Sequence, residues 1–434
     1  MTPPAQCQNL PTVLLENGRL LDLETDKIRI VHLLIKNSII RRIQATPITD
    51  FAGTRINLEQ GLIVPGLIDM HVHFREPGFE HKEDLLSGAA SAMAGGFTTV
   101  CTMPNTNPAI DNPEQIRAVY QKMADHPVQI LPIAAITRGR AGTEAVDFEP
   151  LRQAGAIGFS DDGSFVPDSR VLRRALQISA QNNFPIIEHC EDPLLAGKGV
   201  MHAGKVSQAL GLPGIPGIAE DIIVARDLIL AEETGGHLHV AHISTARSVE
   251  LVRRAKEQGV NITCEVAPHH FTLTDDAIKQ LGAEAKMNPP LRTQADVDAI
   301  KAGLADGTID VIASDHAPHT DFEKAAGMQQ APFGIVGLET MLGLTLTHLV
   351  KTNIISLSTA IRKMTLHPAR ILSLELPTIR TGIRANLTIF DPDGKRKIDR
   401  NKFLSKSCNT PFDGWTVHGK IFGIYNRGKF WRAG

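Results

Sequence analysis

Between residues 66 and 367, short apolar runs alternate with stretches of helical periodicity. Amphipathic segments follow the apolar runs, for example 112–126 after the second run and 248–259 after the sixth. This alternation predicts an α/β fold, a (β/α)8 TIM barrel. A doubly wound open sheet is the competing fold, but no glycine-rich phosphate motif follows the first run. The eight predicted strands are 66–74, 98–104, 128–136, 156–161, 184–190, 237–243, 261–268 and 309–315.

The two ends of the chain have a different pattern. Residues 12–64 and 381–434 alternate apolar and polar positions in the manner of β hairpins, with turn signals in the sequences DPDG and NRGK. We expect both ends to form one small composite β domain beside the barrel. The predicted domains are 1–64 (N-terminal part of the β domain), 65–367 (barrel) and 368–434 (C-terminal part of the β domain).

Composition and charge narrow the functional classes. Hydrophobic residues make up 42% of the chain and charged residues 21%, which is typical of a globular protein. The net charge of -2 provides no field that would attract nucleic acid or an anionic membrane. The chargeless run 85–110 contains Gly, Ser, Asn and Pro, and therefore predicts a helix, a turn and a strand instead of a membrane span.

Cysteine usage and the first residues indicate the compartment. The five cysteines are far apart and never form C-x-x-C, which is typical of reduced thiols. Residues 1–22 lack the basic and apolar segments of a secretory signal. We therefore expect a cytoplasmic protein that binds neither nucleic acid nor a membrane.

Histidines and aspartates fall at the ends of the predicted strands. His71 and His73 lie two residues apart at the end of the first strand, so their side chains point to the same face. In a barrel, the C-terminal ends of the strands converge on one mouth, where such enzymes hold their catalytic groups. Imidazoles and carboxylates that meet there would suit zinc or another divalent first-row metal ion. The other strand-end residues are Asp161 and Asp162 (fourth), His189 (fifth), His242 (sixth) and Asp315 (eighth).

Each of these residues also has an ordinary structural explanation. A single strand histidine such as His189 is usually a satisfied core residue, the DDG sequence at 161–163 is typical of a turn, and Asp315 could cap a helix. The joint occurrence at the same end of five strands favours a metal site. His237 and His239 are interpreted as structural, because His239 lies an odd number of residues before His242 and should face the opposite way.

The chain resembles a known enzyme family. The runs HVHFREPG, TMPNT, GFSDDG, KMNPPLR, SDHAPH and PFGIVGLE follow one another between residues 71 and 339. Together they resemble the dihydroorotases of the amidohydrolase superfamily, in the form that has an aspartate where relatives have a carboxylated lysine. No lysine lies between 153 and 187, so the fourth strand offers none. The resemblance implies a metal-dependent cyclic amidohydrolase on a TIM barrel.

The resemblance implies a set of metal ligands and a reaction. Asp162 would bridge two zinc ions, although one ion per subunit or another divalent metal also fits, and Asp161 would be a supporting or turn residue. The reaction would interconvert L-dihydroorotate and N-carbamoyl-L-aspartate in pyrimidine biosynthesis, by attack of a metal-bound hydroxide with Asp315 as the catalytic proton carrier. The implied ligands are His71, His73, Asp162, His189, His242 and Asp315.

The substrate carries carboxylates, so a cationic clamp is expected. Arg75 lies two residues beyond His73, and a guanidinium can grip a carboxylate with two hydrogen bonds. By resemblance, Asn105, Asn288 and His319 complete the clamp; alone, each could be a turn or loop residue. Residues 321–337 hold three glycines and are expected to shape or cover the pocket.

Two other functions fit the same barrel. One is a different cyclic-amide hydrolase, such as a hydantoinase or allantoinase, which the missing lysine and the Arg75–Asn105 pair disfavour. The other is a catalytically silent scaffold homologue, which the retention of all six implied ligands disfavours. The expected partner is a small-molecule substrate, and the resemblance implies a homo-oligomer with an association with aspartate carbamoyltransferase left open.

Overall fold

The computed structural model describes residues 7–434, in which strands and helices alternate along most of the chain. The strands are β1 Cys7–Asn9, β2 Thr12–Leu21, β3 Ile28–Lys36, β4 Ile39–Gln44, β5 Thr54–Asn57, β6 Leu62–Pro65, β7 Leu67–Val72, β8 Phe97–Thr102, β9 Gln129–Pro132, β10 Phe159–Ser160, β11 Ile186–Glu188, β12 Met201–His202, β13 Gly214–Ile215, β14 Leu238–Val240, β15 Ile262–Val266, β16 Val311–Ile312, β17 Leu387–Lys397, β18 Thr416–Asn426 and β19 Lys429–Arg432.

Helices follow most of the central strands. The α-helices are α1 Leu85–Gly95, α2 Pro113–Lys122, α3 Phe148–Ala154, α4 Ser169–Asn182, α5 Pro193–Ala196, α6 Lys205–Leu210, α7 Ile218–Thr234, α8 Ala246–Glu257, α9 Pro268–Thr272, α10 Ile278–Leu281, α11 Gln294–Asp306, α12 Asp321–Lys324, α13 Gly327–Gln330, α14 Leu338–Thr345, α15 Leu357–Lys363 and α16 Leu366–Ile371. Short 3-10 helices lie at Arg138–Arg140, Asp275–Ala277, Gly282–Ala285 and Arg400–Lys402, and a π-helical turn at Leu346–Val350.

Eight parallel strands close into a barrel. One sheet contains β7, β8 and β9, and a second runs in the order β10, β11, β14, β15, β16. Parallel bridges from Ala134 to Phe159 and from Val72 to His316 join the two sheets at both seams. Each of the eight apolar runs overlaps one of these strands, so the predicted TIM barrel is confirmed. The observed strands are shorter than the predicted runs, because the residues at their ends belong to loops.

The barrel interior is apolar beneath a polar end. Cys101, Leu131, Ile187 and Ala313 belong to one buried cluster inside the barrel. His189 and Asp315 lie two residues beyond Ile187 and Ala313, so the chain direction carries their side chains above this apolar layer. The strand ends therefore present polar groups at one mouth, while the layer below excludes water.

The two chain ends share one nine-stranded sheet, as predicted. Its order is β1, β19, β18, β17, β6, β2, β3, β4, with β5 paired to β2. Strand β17 pairs antiparallel with β6, so a C-terminal strand completes the N-terminal half. A separate apolar core, which includes Val13, Leu33 and Tyr425, is shared by both halves. The boundaries 64/65 and 367/368 stay predictions.

One predicted turn is correct and another is wrong. The NRGK sequence forms the hairpin between β18 and β19, with left-handed φ angles of 51° at Arg427 and 79° at Gly428. The DPDG sequence does not reverse the chain, because β17 continues through it. The register shifts from Asp391 opposite Lys420 to Lys395 opposite His418, so these turn residues form a bulge in the strand.

The segment 85–110 begins with helix α1 and continues into β8, as predicted. Gly96 ends the helix with a φ of 86°, and its backbone N–H donates to the carbonyls of Ala92 and Met93. Within residues 7–434, no helix has the length and apolar character needed to cross a membrane.

Candidate metal centre and active site

Four histidines and two aspartates meet at the mouth of the barrel. They come from the ends of five strands that are distant in sequence, and all are buried: His71 is 0% exposed, Asp162 2% and Asp315 6%. The expectation that these side chains lie close together is therefore met by the structure. The six residues are His71, His73, Asp162, His189, His242 and Asp315.

Asp162 lies at the centre of the cluster. Its Oδ1 is 3.4 Å from His71 Nε2, 3.4 Å from His242 Nε2 and 3.7 Å from His189 Nδ1. Its Oδ2 is 3.5 Å from His73 Nε2. One carboxylate thus faces all four imidazoles, with its two oxygens turned to different histidines.

Asp315 closes the other side of the cluster. Its Oδ1 is 3.2 Å from His73 Nε2 and 3.7 Å from His71 Nε2. Two triads have their candidate ligand atoms within 4.8 Å of one another: His71, Asp162 and His242, and His71, His73 and Asp315. His71 belongs to both triads, and because its Nε2 has a single lone pair, it can bind a cation in one triad at a time.

Three residues of the site have left-handed backbone conformations. The φ angles are 60° at Arg75, 30° at His242 and 47° at Asp315, which non-glycine residues rarely adopt. Such strain persists only where surrounding contacts hold it, and it is concentrated at functional sites. Here it turns each side chain toward the barrel mouth just after its strand has ended.

The carboxylates make the cluster favourable for a cation. Burial opposes the charged form of His71, but Asp162 and Glu265 beside it raise the pKa of the ring well above its ordinary value. Burial likewise opposes the ionised form of Asp162, but His71, His189 and His242 hold its pKa well below the usual range. Positive charge is therefore stabilised between these groups.

Comparisons with known proteins place the chain in a family. A family model described as dihydro-orotase-like matches residues 60–248. A dihydroorotase of Pelotomaculum thermopropionicum is 48% identical over 408 residues, which is 94% of this chain and 95% of that protein. The chain belongs to the dihydroorotase family. A dihydroorotase of Acetivibrio thermocellus is 44% identical over 411 residues, covering 94% of this chain and 96% of that protein.

Solved structures agree on the fold. The L-hydantoinase (dihydropyrimidinase) of Arthrobacter aurescens superposes with a TM-score of 0.86 at 25% identity, covering 96% of this chain and 95% of that chain. A D-hydantoinase superposes with a TM-score of 0.84 at 23% identity. The α/β barrel with its composite β domain is thus shared across dihydroorotase-family chains and hydantoinases.

The residues of this dihydroorotase-family site fit a divalent metal ion. Within the described chain, His71 Nε2 and Asp162 Oδ1 are buried without a hydrogen-bond partner. Buried polar atoms rarely lack a partner, so two such atoms facing each other at 3.4 Å mark a place for a ligand. Imidazole nitrogens and carboxylate oxygens are the donors that first-row divalent metals prefer.

The predicted clamp residues lie around this centre. Arg75 Nη2 is 3.3 Å from His319 Nε2, and Arg75 Nε donates to the Pro318 carbonyl at 3.3 Å. Burial and the neighbouring Arg75, Lys82 and Lys324 lower the pKa of His319 to about 2, so this ring is neutral. It donates from Nε2 to the carbonyl of Phe333 at 2.8 Å.

The two asparagines contact candidate metal ligands as well. Asn105 Oδ1 accepts from His73 Nδ1 at 2.8 Å, which directs His73 Nε2 toward Asp315. Asn288 Nδ2 lies 3.3 Å from His189 Nε2 and donates to Glu191 Oε1 at 3.1 Å. Both asparagines therefore orient histidines in addition to facing the pocket.

Asp161 supports the turn, in line with its expected role. Its Oδ1 accepts from the backbone N–H groups of Ile136 and Thr137 at 2.9 and 3.1 Å. Arg140, which sequence reasoning missed, donates to the carbonyls of Asp161 and Asp162 at 3.2 and 2.5 Å. These contacts lock the DDG turn and so hold the Asp162 carboxylate in place.

Sequence reasoning also missed Glu265 and placed His239 on the wrong face. Glu265 Oε1 lies 2.6 Å from His71 Nδ1, and its Oε2 lies 3.3 Å from His239 Nε2. Strand alternation failed for His239 because β14 ends at Val240, and the left-handed φ of His242 breaks the alternation. A glutamate inside the apolar strand 261–268 was the available signal.

Proposed function

We propose that this protein is a dihydroorotase, which closes and opens a six-membered cyclic amide between N-carbamoyl-L-aspartate and L-dihydroorotate. The observation that carries the proposal is the Asp162-centred cluster with the Arg75–His319 pair beside it, in a chain 48% identical to a named dihydroorotase. The same arrangement supports a role for this protein in pyrimidine biosynthesis, because the ring of dihydroorotate has the skeleton of a pyrimidine.

The metal proposed for this centre is zinc, in one or two ions per subunit. The residues that would hold it are His71, His73, Asp162, His189, His242 and Asp315, with Asp162 between two positions. A bound divalent ion supplies a Lewis acid that polarises an amide carbonyl and makes water acidic at neutral pH. The nitrogen-rich donor set favours zinc over magnesium or calcium, which prefer oxygen ligands.

Asp315 is proposed to carry the proton. Its Oδ1 faces the cluster at 3.2 Å from His73 Nε2, and the oxygen is held there by the backbone turn at the end of β16. In the hydrolytic direction, the carboxylate accepts the proton of the attacking water and delivers it to the ring nitrogen, which leaves as the neutral NH2 of the carbamoyl group while the carbonyl carbon becomes a carboxylate. Ring closure reverses the two transfers.

The clamp is proposed to bind the substrate carboxylate. Arg75 donates from Nε to the Pro318 carbonyl and approaches His319 through Nη2, whereas its Nη1 makes no hydrogen bond within residues 7–434 and can pair with an anion. The amide Nδ2 of Asn105 is available because its Oδ1 is used by His73. His319 lies beside Arg75 and is neutral, so Arg75 supplies the positive charge of this pair for the substrate carboxylate.

The segment 321–337 is proposed to form one wall of the pocket. Lys324 Nζ donates to the carbonyls of Lys286, Pro332 and Gly334 at 3.2, 3.2 and 3.0 Å. Glu323 Oε1 pairs with Lys82 Nζ at 2.7 Å, and Lys82 in turn approaches His319. These bonds tie the segment to the clamp, so it has a fixed shape beside the substrate.

The proposed partner is the small-molecule substrate. A homo-oligomer and an association with aspartate carbamoyltransferase stay proposals that rest on the family resemblance. A cytoplasmic location is proposed because all five cysteines are free thiols, which suits a reducing compartment.

The proposal is tested by metal analysis coupled to a hydrolysis assay. Purified protein is loaded with zinc, its metal content is measured, and dihydroorotate, hydantoin and allantoin are compared as substrates at equal concentration. We expect one or two zinc ions per chain and turnover of dihydroorotate above the other two. Faster turnover of hydantoin would favour the second candidate, the hydantoinases that share the fold. Zinc-loaded protein inactive on all three would support a silent scaffold.

A further inference from the structure

A carboxylate lies directly behind the metal centre and joins two histidines. Glu265, on β15, is 1% exposed and His239, on β14, is 0% exposed, so neither reaches solvent. Glu265 Oε1 is 2.6 Å from His71 Nδ1. Its Oε2 is 3.3 Å from His239 Nε2, a close approach that is not aligned as a hydrogen bond, and within residues 7–434 neither of these two atoms has a hydrogen-bond partner.

The contacts assign the proton positions along this chain of groups. His71 Nδ1 must donate to the Glu265 carboxylate, so in the neutral ring that can bind a metal the lone pair is on Nε2, which is directed at Asp162 and Asp315. His239 Nε2 lies 3.3 Å from Glu265 Oε2, and His239 Nδ1 forms a hydrogen bond with Thr263 Oγ1 at 2.8 Å. His237 Nε2 contacts the same hydroxyl at 2.9 Å. The chain therefore extends from the cluster to His237.

We propose that Glu265 is a positioning residue that holds His71 in the tautomer and orientation needed to bind metal, with His239 fixing Glu265 from below. The inference rests on the proposed metal centre and deepens it. A carboxylate that accepts from the far nitrogen of a ligand histidine orients the ring and makes its other nitrogen a stronger donor. Since His71 belongs to both triads, the Glu265 contact orients a nitrogen that either candidate triad uses.

The charge of Glu265 is favoured by its partners. Its Oε1 accepts from His71 Nδ1 at 2.6 Å, and its Oε2 lies 3.3 Å from His239 Nε2, so both carboxylate oxygens face an imidazole nitrogen. A buried negative charge directly behind His71 adds to the attraction of the site for a divalent cation. Cys264 and Val266, the residues on either side of Glu265 in β15, are fully buried, so water does not reach the carboxylate along this strand.

The test measures zinc retention, which does not depend on turnover. Wild-type, Glu265→Gln and Glu265→Leu proteins are purified with zinc and equilibrated against a series of zinc buffers. Bound metal is then measured by elemental analysis. Glutamine keeps an acceptor for His71 but loses the charge, and leucine loses both. We expect half-loading to need about 10- to 100-fold more free zinc in Glu265→Gln, and still more in Glu265→Leu.

A matched control separates this role from loss of any buried carboxylate. Glu339 Oε1 accepts from the backbone N–H groups of Leu404 and Ser405 at 2.7 and 3.2 Å, and Glu339 contacts none of the candidate ligands. Glu339→Gln should load at the same free zinc as wild type. The visible spectrum of the cobalt-substituted proteins gives a second readout, which should change in the Glu265 variants and not in the control.

The outcomes distinguish a failure of the positioning role of Glu265 from a failure of the proposed metal centre. Equal zinc retention and an unchanged cobalt spectrum in Glu265→Gln would overturn the positioning role while leaving the metal centre intact. Failure of wild-type protein to hold zinc would overturn both. If Glu265→Leu does not fold, Glu265→Gln and a His239→Gln variant decide, and the latter is expected to weaken retention less because the Glu265–His71 contact remains.

Discussion

Asp315 is proposed to combine two roles, metal ligand and proton carrier, which place different demands on one carboxylate. Its Oδ1 faces two candidate ligand histidines, and its left-handed φ of 47° turns the side chain over the cluster. A proton carrier must give its proton away as readily as it takes it. The neighbouring histidines lower the pKa of Asp315 far below its usual range in spite of burial, so the free group is a carboxylate, which is the form that can accept a proton.

Replacement of Asp315 by asparagine should separate binding from turnover. Asparagine keeps the size of the side chain but cannot accept the proton, so we expect kcat to fall by about 100- to 10,000-fold. Zinc content at saturating metal should remain near that of wild type, because the four histidines and Asp162 are unchanged. Steady-state kinetics with metal analysis check this, and wild-type turnover in the variant would show that another group carries the proton.

Replacement of Arg75 by methionine should act mainly on substrate binding. The variant keeps the length of the side chain and loses the charge that would pair with the substrate carboxylate. A charge-assisted hydrogen bond contributes about 1.5–3 kcal/mol, so we expect KM for dihydroorotate to rise about 10- to 100-fold. Arg75→Lys is the matched control and should recover part of the loss. An unchanged KM in Arg75→Met would remove this residue from the clamp.

At the scale of the element, helix α1 is fixed to the β domain through its first turn. Asp84 caps the helix by accepting from the N–H groups of Leu86 and Ser87 at 2.9 and 2.8 Å. The same carboxylate forms an ion pair with Lys406, near the start of the last sheet strands. One side chain therefore holds both a helix end and the C-terminal segment.

Removal of this cap should have a defined pH dependence. Burial raises the pKa of Asp84, but Lys406 and the Ser87 N–H lower it to about 2 overall, below its ordinary value. A lowered pKa means that the contribution is present above about pH 4 and is lost as the pH falls through about 2. Asp84→Ala should lower the free energy of unfolding by about 1 kcal/mol at pH 7.

Urea unfolding at several pH values checks this prediction. The gap between wild type and Asp84→Ala should narrow as the pH falls from about 4, because protonated Asp84 no longer pairs with Lys406. Asp84→Asn keeps an acceptor for the helix N–H groups and should lose less at pH 7. A gap that widens in acid would contradict the assignment.

Secondary-structure elements could be predicted where a single local sequence pattern determines them. The eight strands were found because strands buried on both faces are continuous apolar runs, and the gathering of His71, Asp162 and Asp315 follows from parallel strands that end at one mouth. The DPDG sequence was wrongly predicted to be a chain reversal, because turn-forming residues also occur in β-bulges. Only the pairing of β17 with β18 distinguishes a reversal from a bulge. Strand order in the composite sheet depends on contacts between distant segments and was not predicted.

The remaining misses in the site have a common cause. Glu265 and His239 act through contacts across the barrel, between β7, β14 and β15, and no local pattern records which side chains meet there. The bonds of Asn105 and Asn288 to histidines are of the same kind. Sequence reasoning thus located the groups that end the strands but not those that support them from inside.

At the scale of the whole molecule, the candidate metal centre joins side chains from the ends of five of the eight barrel strands, β7, β10, β11, β14 and β16. Removal of zinc by a chelator should therefore destabilise the entire fold. A ligand at a hundredfold excess over its Kd stabilises by about 2.7 kcal/mol, so Tm should fall by several degrees on chelation. Added zinc should restore Tm, whereas magnesium at the same concentration should not, because it prefers oxygen ligands. Calorimetry measures this, and an unchanged Tm would contradict a structural link between metal and barrel.

The interleaving of the two chain ends in one sheet has a consequence for biosynthesis. Strand β6 finds its antiparallel neighbour only in β17, which leaves the ribosome more than 300 residues later. Until then the edge of β6 offers unpaired backbone groups to any passing strand. The first strands of the nascent polypeptide therefore stay incomplete until residues 387–397 have emerged, and a chain that stops before β17 would be open to aggregation.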